Sequence, residues 1–481
     1  MAHEVRWLAL ASLMLPAALA AAPAYVAVPL GTLGGPSIYG TGINASGQIS
    51  GWGDTDAAGA PHRHAFLHAD GVLTNLGTLG GGTQSFGYAI NDSAQVAGAS
   101  NSAGNAFQHA ILFGAGSILD LNPFLGAQVS NAYAVNAGGD AAGGYRTAAS
   151  FHGYRYRATG NLVTDLGTFG GTTSQAYGIN VFGAVAGFAH TATEDAHAFR
   201  YTDSGGLSDL GTLGGRSSIG YGIAPSGEVV GSAYLPGDTG PHAFIHDGGT
   251  MYDIGTLGGG SSTAFAINAA GTIVGESTNA QGGSHAFVYA GGAMVDLNAI
   301  TSGLAGATLS TATAINDAGQ IVAMSCTGLL ICPQAFRLDP VPASKVAAIE
   351  YHHTTFDHYF ITGIADEIAK LDSGVFAGWS RTGGAFNVYA GEQVGTKPVC
   401  RFFSTSFAPK SSHFYTPDPR DVRSSRTIPT GNSRASCSTS RFPMSTATAR
   451  PTPRPSIGCT TTAWAVRPTT GTPRASRPVQ R

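Results

Sequence analysis

The sequence predicts an all-β protein, a seven-bladed β-propeller, on three observations. A six-residue phrase recurs seven times at a nearly constant period. Each period holds four short strand-like runs. Glycine breaks the chain too often for helices: 69 of 481 residues are Gly. The phrase LGTLGG begins at Leu30, Leu76 and Leu210, with LGTFGG at Leu166 and IGTLGG at Ile254. LNPFLG at Leu121 and LNAITS at Leu297 are degenerate copies. Successive starts differ by 46, 45, 45, 44, 44 and 43 residues, within the range of a propeller blade. A right-handed β-solenoid is the alternative architecture.

Each period follows one internal order. The first strand ends in Ile/Val-Asn at Asn44, Asn91, Asn136, Asn180, Asn268 and Asn316, with Ala224 in the fifth copy. A turn such as Asn44-Ala45-Ser46-Gly47 follows, where Asn bonds the backbone ahead and Gly takes a positive φ. The second strand reads Glu228-Val229-Val230-Gly231 or a relative. The third begins at His64, His109, His152, His197, His242, His285 and, in the last copy, Gln334. A fourth strand, such as Gly292–Leu297, returns to the next phrase. The last period has three strands and then Pro340, while Ala24–Leu30 offers a strand before the first. Joining them removes an open sheet edge.

The phrases DLGTLGG, GIN-x-x-G-x-VVG and HAF-x-Y, recurring in fixed order over residues 24–338, resemble the bacterial extracellular HAF-repeat family. The resemblance implies secretion and a repeat fold, and no catalytic activity.

Charge divides the chain. Asp421–Arg481 holds 10 Arg and one acid, which leaves 15 basic and 27 acidic residues in 1–420, a net of −12. That surface does not suit nucleic acid. Residues 1–22 read as a signal peptide: Arg6, an apolar run from Trp7 to Leu19, then Ala18-Leu19-Ala20 for cleavage. No other apolar run approaches the length of a membrane span. The mature chain is therefore expected to be secreted, extracellular or periplasmic, and monomeric, without a membrane span.

The repeated His and Asn residues read as structural, because metal ligands must converge on one ion, which symmetric positions rarely do. The LGTLGG glycines precede no helix that could hold phosphate, and read as tight turns. Asp54-Thr55-Asp56 resembles the start of a calcium loop but lacks its Gly and its final acid. No Ser-His-Asp, His-Glu-x-x-His or Gly-x-Ser-x-Gly pattern appears, so no catalytic residue, cofactor or metal is assigned. Candidate ligand contacts lie where repeats differ: Arg146, Arg155, Tyr156 and Arg157, an aromatic–Arg cluster able to stack on sugar or bind an anion, or else a solvated strand face. Cys326 and Cys332 are spaced for a disulfide in an oxidising compartment.

Residues 341–420 form a second, α+β segment. Tyr351, Phe356, Tyr359, Phe360, Phe376, Trp379, Phe386 and Tyr389 cluster, and Ile364–Leu371 reads as a helix. His413-Phe414-Tyr415-Thr416 parallels His358-Tyr359-Phe360-Ile361-Thr362, and the segment resembles a secreted bacterial domain of unknown function built from aromatic-rich units. The second unit stops mid-way. The Arg/Ser/Thr/Pro-rich residues 421–481 read as disordered and out of frame. Shifted codons for Ile428–Arg441 can spell P-D-W-Q-F-E-G-L-V-F-N-V-P, which looks like a missing unit. Cys437 and Cys459 in this tail are not read as a disulfide framework, and Cys400 is left without its partner.

The functional expectation is an exported, non-catalytic binding module whose partner is a carbohydrate or an extracellular protein. The alternatives are a secreted hydrolase or lyase with its site in the propeller funnel, and a purely structural envelope protein.

Overall fold

The computed structural model describes residues 24–442 apart from 57–61, 103, 105–106, 115, 149, 328–330, 342–344, 356–357, 363–364, 390–396, 405–411 and 417–433. The signal-peptide reading of residues 1–22 lies outside the described residues, as does the chain beyond Phe442. The described chain is mostly β, arranged in many four-stranded sheets.

Residues 38–296 form six four-stranded antiparallel sheets, each with its strands in sequence order. The first sheet is Ile38–Ile43, Ile49–Asp54, Arg63–Ala69 and Val72–Asn75. The fourth is Gly170–Ile179, Val185–Thr191, Ala196–Thr202 and Gly206–Asp209. A seventh sheet combines Thr311–Ile315, Ile321–Ser325 and Gln334–Pro340 with the N-terminal strand Tyr25–Pro29. That strand pairs antiparallel with the third, from Tyr25 opposite Pro340 to Pro29 opposite Phe336. Thr301–Ser302 adds a short parallel fifth strand beside it. The junction binds the two ends of this region through a strand-length ladder.

The third-strand HAF phrase, or its relatives ending in Ile111, Tyr154 and Phe336, is the core of each sheet. Its Phe is fully buried as Phe66, Phe199, Phe244 and Phe287. Its Ala is equally buried, and the Ala N–H donates to a Ser hydroxyl on the next sheet: Ala65 to Ser85, Ala110 to Ser130, Ala198 to Ser218 and Ala243 to Ser262, at 2.8–2.9 Å. A larger residue would push the sheets apart. The second-strand glycine is required by the same packing. A Cβ on Gly187 would lie 1.9 Å from Gln175 O and 2.8 Å from the Phe199 ring.

The two degenerate phrases behave differently from the other five. Asn122–Leu125 and Leu297–Ile300 each form one helical turn in place of the Gly-Gly bend. In four of the five intact phrases the second glycine packs against the end of a second strand, and in the phrase at Leu76 the next residue, Gly82, does so instead. A Cβ on Gly171 would stand 2.3 Å from Thr191 O, and one on Gly35 2.6 Å from Asp54 O.

The C-terminal segment is a six-stranded sheet with the helix Ala365–Asp372. Lys345–His353 pairs with His358–Thr362, and Lys397–Ser404 pairs with Ser412–Thr416 in the same manner, so the two aromatic units share a plan. One expectation is corrected here. The tail is not disordered throughout and the sheet does not end at residue 420, because Arg434–Phe442 forms a strand along Lys397–Ser404. Ala435, Cys437 and Thr439 alternate with Ser436, Ser438 and Ser440, a two-residue period that overall composition hides. The strand covers an edge that would otherwise stay unpaired, and it sets Cys437 opposite Cys400.

Candidate functional site

The Ile/Val-Asn turns of all seven sheets line a single cavity of about 270 Å³. Each turn is built by its Asn. In the first sheet Asn44 Oδ1 accepts the N–H groups of Ser46 and Gln48, which shapes the bend, and its Nδ2 donates to Asn91 O on the second sheet. The same step runs from Asn91 to Asn136 O, Asn136 to Asn180 O and Asn180 to Ala224 O. It resumes from Asn268 to Asn316 O, and Asn316 returns to Asn44 O at 2.9 Å. The missing step is at Ala224, which has no amide to give.

The residue after each Asn, and after Ala224 in the fifth sheet, lines the cavity as well: Ala45, Asp92, Ala137, Val181, Pro225, Ala269 and Asp317. Asp92 accepts the N–H of Ala45 and Asp317 that of Ala269, so both carboxylates fasten the preceding turn. In the fourth sheet Val181 and Phe182 are exposed, Phe182 at 79%.

Two residues before the terminal Ile/Val, every first strand carries a β-bulge. The pairing skips Thr41, Tyr88, Tyr133, Tyr177, Tyr221, Phe265 and Thr313 in turn. A bulge re-aims its side chain out of the regular pleat. Here five consecutive side chains meet across sheet boundaries, with centroids 5.2 Å apart for Tyr88–Tyr133 and Tyr133–Tyr177, 5.3 Å for Tyr177–Tyr221 and 5.4 Å for Tyr221–Phe265. Thr313 and Thr41 complete the series, donating to Gly40 O and Gly87 O of the next sheet. Burial pushes the four tyrosine hydroxyls above their usual range, so they stay protonated. Tyr177 donates to Gln175 at 2.7 Å, whereas Tyr88 and Tyr133 find no hydrogen-bond acceptor among the described residues.

The sequence carried a signal for these bulges in the glycine of the second strand (Gly51, Gly98, Gly143, Gly187, Gly231 and Gly275). At each of the six a Cβ would stand 1.8–2.0 Å from a first-strand carbonyl oxygen.

The repeated histidines stand away from these features, paired with an acid the motif reading passed over. Nδ1 lies 2.6–2.9 Å from Asp120, Asp165, Asp209, Asp253 and Asp296 for His109, His152, His197, His242 and His285, while His64 faces Asn75. The acid closes the start of the next phrase, as where Asp165 Oδ1 accepts the Gly167 N–H. Burial raises the Asp165 carboxyl, but Gly167, His152 and Tyr145 outweigh it and hold it below the usual range. Gln334 and Pro29 replace both partners together in the seventh sheet. Among the described residues no group of three His, Cys, Asp or Glu is placed to hold a metal ion. Asp54 instead meets Arg63, and Asp56 meets His62.

The expected ligand contacts are corrected. Arg155 is 2% exposed, donates to Gly183 O and Asp203 on the fourth sheet, and lies over the Tyr201 ring at 5.2 Å. Arg157 joins the same Asp203, and Tyr156 is buried with its hydroxyl on Asn161. The cluster is a clamp between the third and fourth sheets, and neither Arg155 nor Tyr156 presents a surface for a ligand. Arg146 is exposed. Cys326 and Cys332 are joined by a disulfide across the loop of the seventh sheet.

No family model matches the sequence, and no curated protein matches it. Solved structures that are similar include TolB from Acinetobacter baumannii (12% identity, TM-score 0.37), of which the chain spans 61% while 52% of its own length is covered. The β-propeller domain of the Trilobed protease from Pyrococcus furiosus is similar at 7% identity and TM-score 0.40, over 63% of this chain and 95% of that one. A gluconolactonase from Xanthomonas campestris is similar at 13% identity and TM-score 0.33, over 67% and 97%. At such scores the likenesses carry no argument of their own, and the sheets and their contacts stand alone.

Proposed function

We propose that residues 24–340 close into a seven-bladed β-propeller sealed by the N-terminal strand, and that the chain is an exported, non-catalytic repeat protein of the HAF kind which binds a ligand on the propeller axis. The observation that carries this reading is the run of five bulged aromatic residues, each touching its counterpart on the next sheet. The shared turn cavity and the return of Asn316 to Asn44 support the ring. Export is supported by the leader pattern of residues 1–22 and by the Cys326–Cys332 disulfide, which suits an oxidising compartment. No helix among the described residues is long and apolar enough to cross a membrane.

The test is a thermal-shift screen of the full-length chain, purified from the periplasm or medium, against glycans, short peptides and small organic ions, with Tyr133→Leu beside it. A ligand that raises the wild-type Tm and leaves the variant's unchanged supports axial binding. Ligands that stabilise both proteins equally, or catalytic turnover of nitrophenyl glycosides or esters, would overturn the reading. Amino-terminal sequencing after Ala20–Ala22 supports export, and an intact Met1 in the cytoplasm contradicts it.

A further inference from the structure

Beside the bulged residues the seven second strands carry seven different residues. The equivalent positions are Trp52, Ala99, Gly144, Phe188, Ser232, Glu276 and Met324. Six are uncharged and the sixth sheet alone has an acid. Glu276 lies opposite Thr263 in the ladder, and its charge is felt by Tyr221 of the fifth sheet. Burial pushes its carboxyl above the usual range, opposed only by the hydroxyl of Thr311 on the seventh sheet. Among the described residues no Lys, Arg or His forms an ion pair with it. A carboxylate drawn out of water without a counter-charge is costly to keep, and packing does not demand it, since its six counterparts do without one.

We propose that the aromatic collar is a site for an organic cation, an alkylated ammonium group, with Glu276 as its counter-charge. This rests on the axial propeller reading above. Ring centroids spaced 5.2–5.4 Å on a sevenfold circle lie about 6 Å from its centre, the distance within which a cation is held by an aromatic ring. One ion on the axis would therefore stand at that distance from Tyr88, Tyr133, Tyr177, Tyr221 and Phe265 together. The seven collar positions contain no Lys or Arg that would fill this place from within. An alkyl shell fits because the collar offers rings rather than the several oxygen acceptors a bare ammonium needs when it sheds water. An anion is repelled by Glu276. The net charge of −12 over residues 1–420 draws cations to the protein.

The experiment is calorimetric titration of the full-length, oxidised protein with choline, with its uncharged isostere 3,3-dimethylbutan-1-ol, and with a disaccharide. Wild type is expected to bind the cation at least about tenfold more tightly than the isostere, and Glu276→Gln to lose about tenfold. Tyr133→Leu should abolish binding, and Tyr133→Phe, which keeps the ring, should restore it to within about threefold of wild type. Circular dichroism establishes that each variant is folded. If the isostere or the disaccharide binds as well as the cation, or Glu276→Gln changes nothing, and Tyr133→Leu still abolishes binding, the cation assignment falls while the axial site stands. Cation binding that survives Tyr133→Leu overturns both. Absence of cation binding to folded wild type overturns the assignment, and the ligand screen then decides the axial reading separately.

Discussion

The second to sixth sheets place an aromatic ring at the bulge, whereas the seventh and first place a threonine. The backbone is the same in both groups, with one unpaired residue before the terminal Ile or Val. Thr313 and Thr41 hold that conformation by a hydroxyl bond to the neighbouring sheet, so an aromatic ring is not what the bulge requires. The contrast separates two kinds of repetition. The buried HAF Phe, the turn Asn and the second-strand Gly maintain the sheets and recur through most of them. The collar recurs in five adjacent sheets, and the fold is maintained without it in two.

The sharpest way to break this distinction is to truncate one residue of each kind. Phe199→Ala removes a fully buried ring and should cost about 3–5 kcal/mol, read as a large fall in Tm or denaturant midpoint. Phe182→Ser, on an exposed turn of the same sheet, should leave stability nearly unchanged. Equal effects would show that the fourth sheet is not packed as described. Next in size is the turn. Asn316→Ala strands the Gln320 N–H and removes the bond to Asn44 O, and should cost about 1–3 kcal/mol. Ala224→Asn is the converse, supplying the amide that the fifth sheet lacks, and should stabilise by about 1 kcal/mol in a urea titration.

The smallest effect concerns the sixth sheet. Glu276 has its pKa raised in the folded chain, so between the unfolded and folded values the native state holds more protons than the unfolded one. Its contribution to stability therefore falls as pH rises through that window, and no penalty remains below the unfolded value. Glu276→Gln should raise Tm at neutral pH, with the gain vanishing in acid, while it weakens cation binding. A gain that grew on acidification would contradict the burial assigned to this carboxyl.

Much of the repeat architecture was legible because each motif residue acts locally or on the adjacent sheet. Period, turn Asn and the strand before the first phrase all follow from spacing and from the cost of an open edge. The bulges were not read, because a bulge is a property of two paired strands and a single strand does not reveal its register. The glycine in six of the seven second strands was their trace, with Ala323 in the seventh. The acids of the His–Asp pairs stood in plain view before LGT, yet pairing across 11 to 13 residues is visible only once the third and fourth strands lie side by side. Arg155 misled because charge suggests solvent. Its burial depends on Gly183, Asp203 and Tyr201, which belong to the next repeat. In the tail, the alternation from Ala435 to Ser440 was masked by the Arg and Pro content around it.

The central claim is that the seventh sheet meets the first. Spin labels on Ser46 and Ala318, in the turns of the first and seventh sheets, provide the direct test by pulsed electron–electron distance measurement, with Ser46 and Ser93 on the first and second sheets as the yardstick. A ring requires the two distances to agree, because both pairs span one sheet boundary. A separation between Ser46 and Ala318 several times larger would mean an open spiral and would remove the axial site with it.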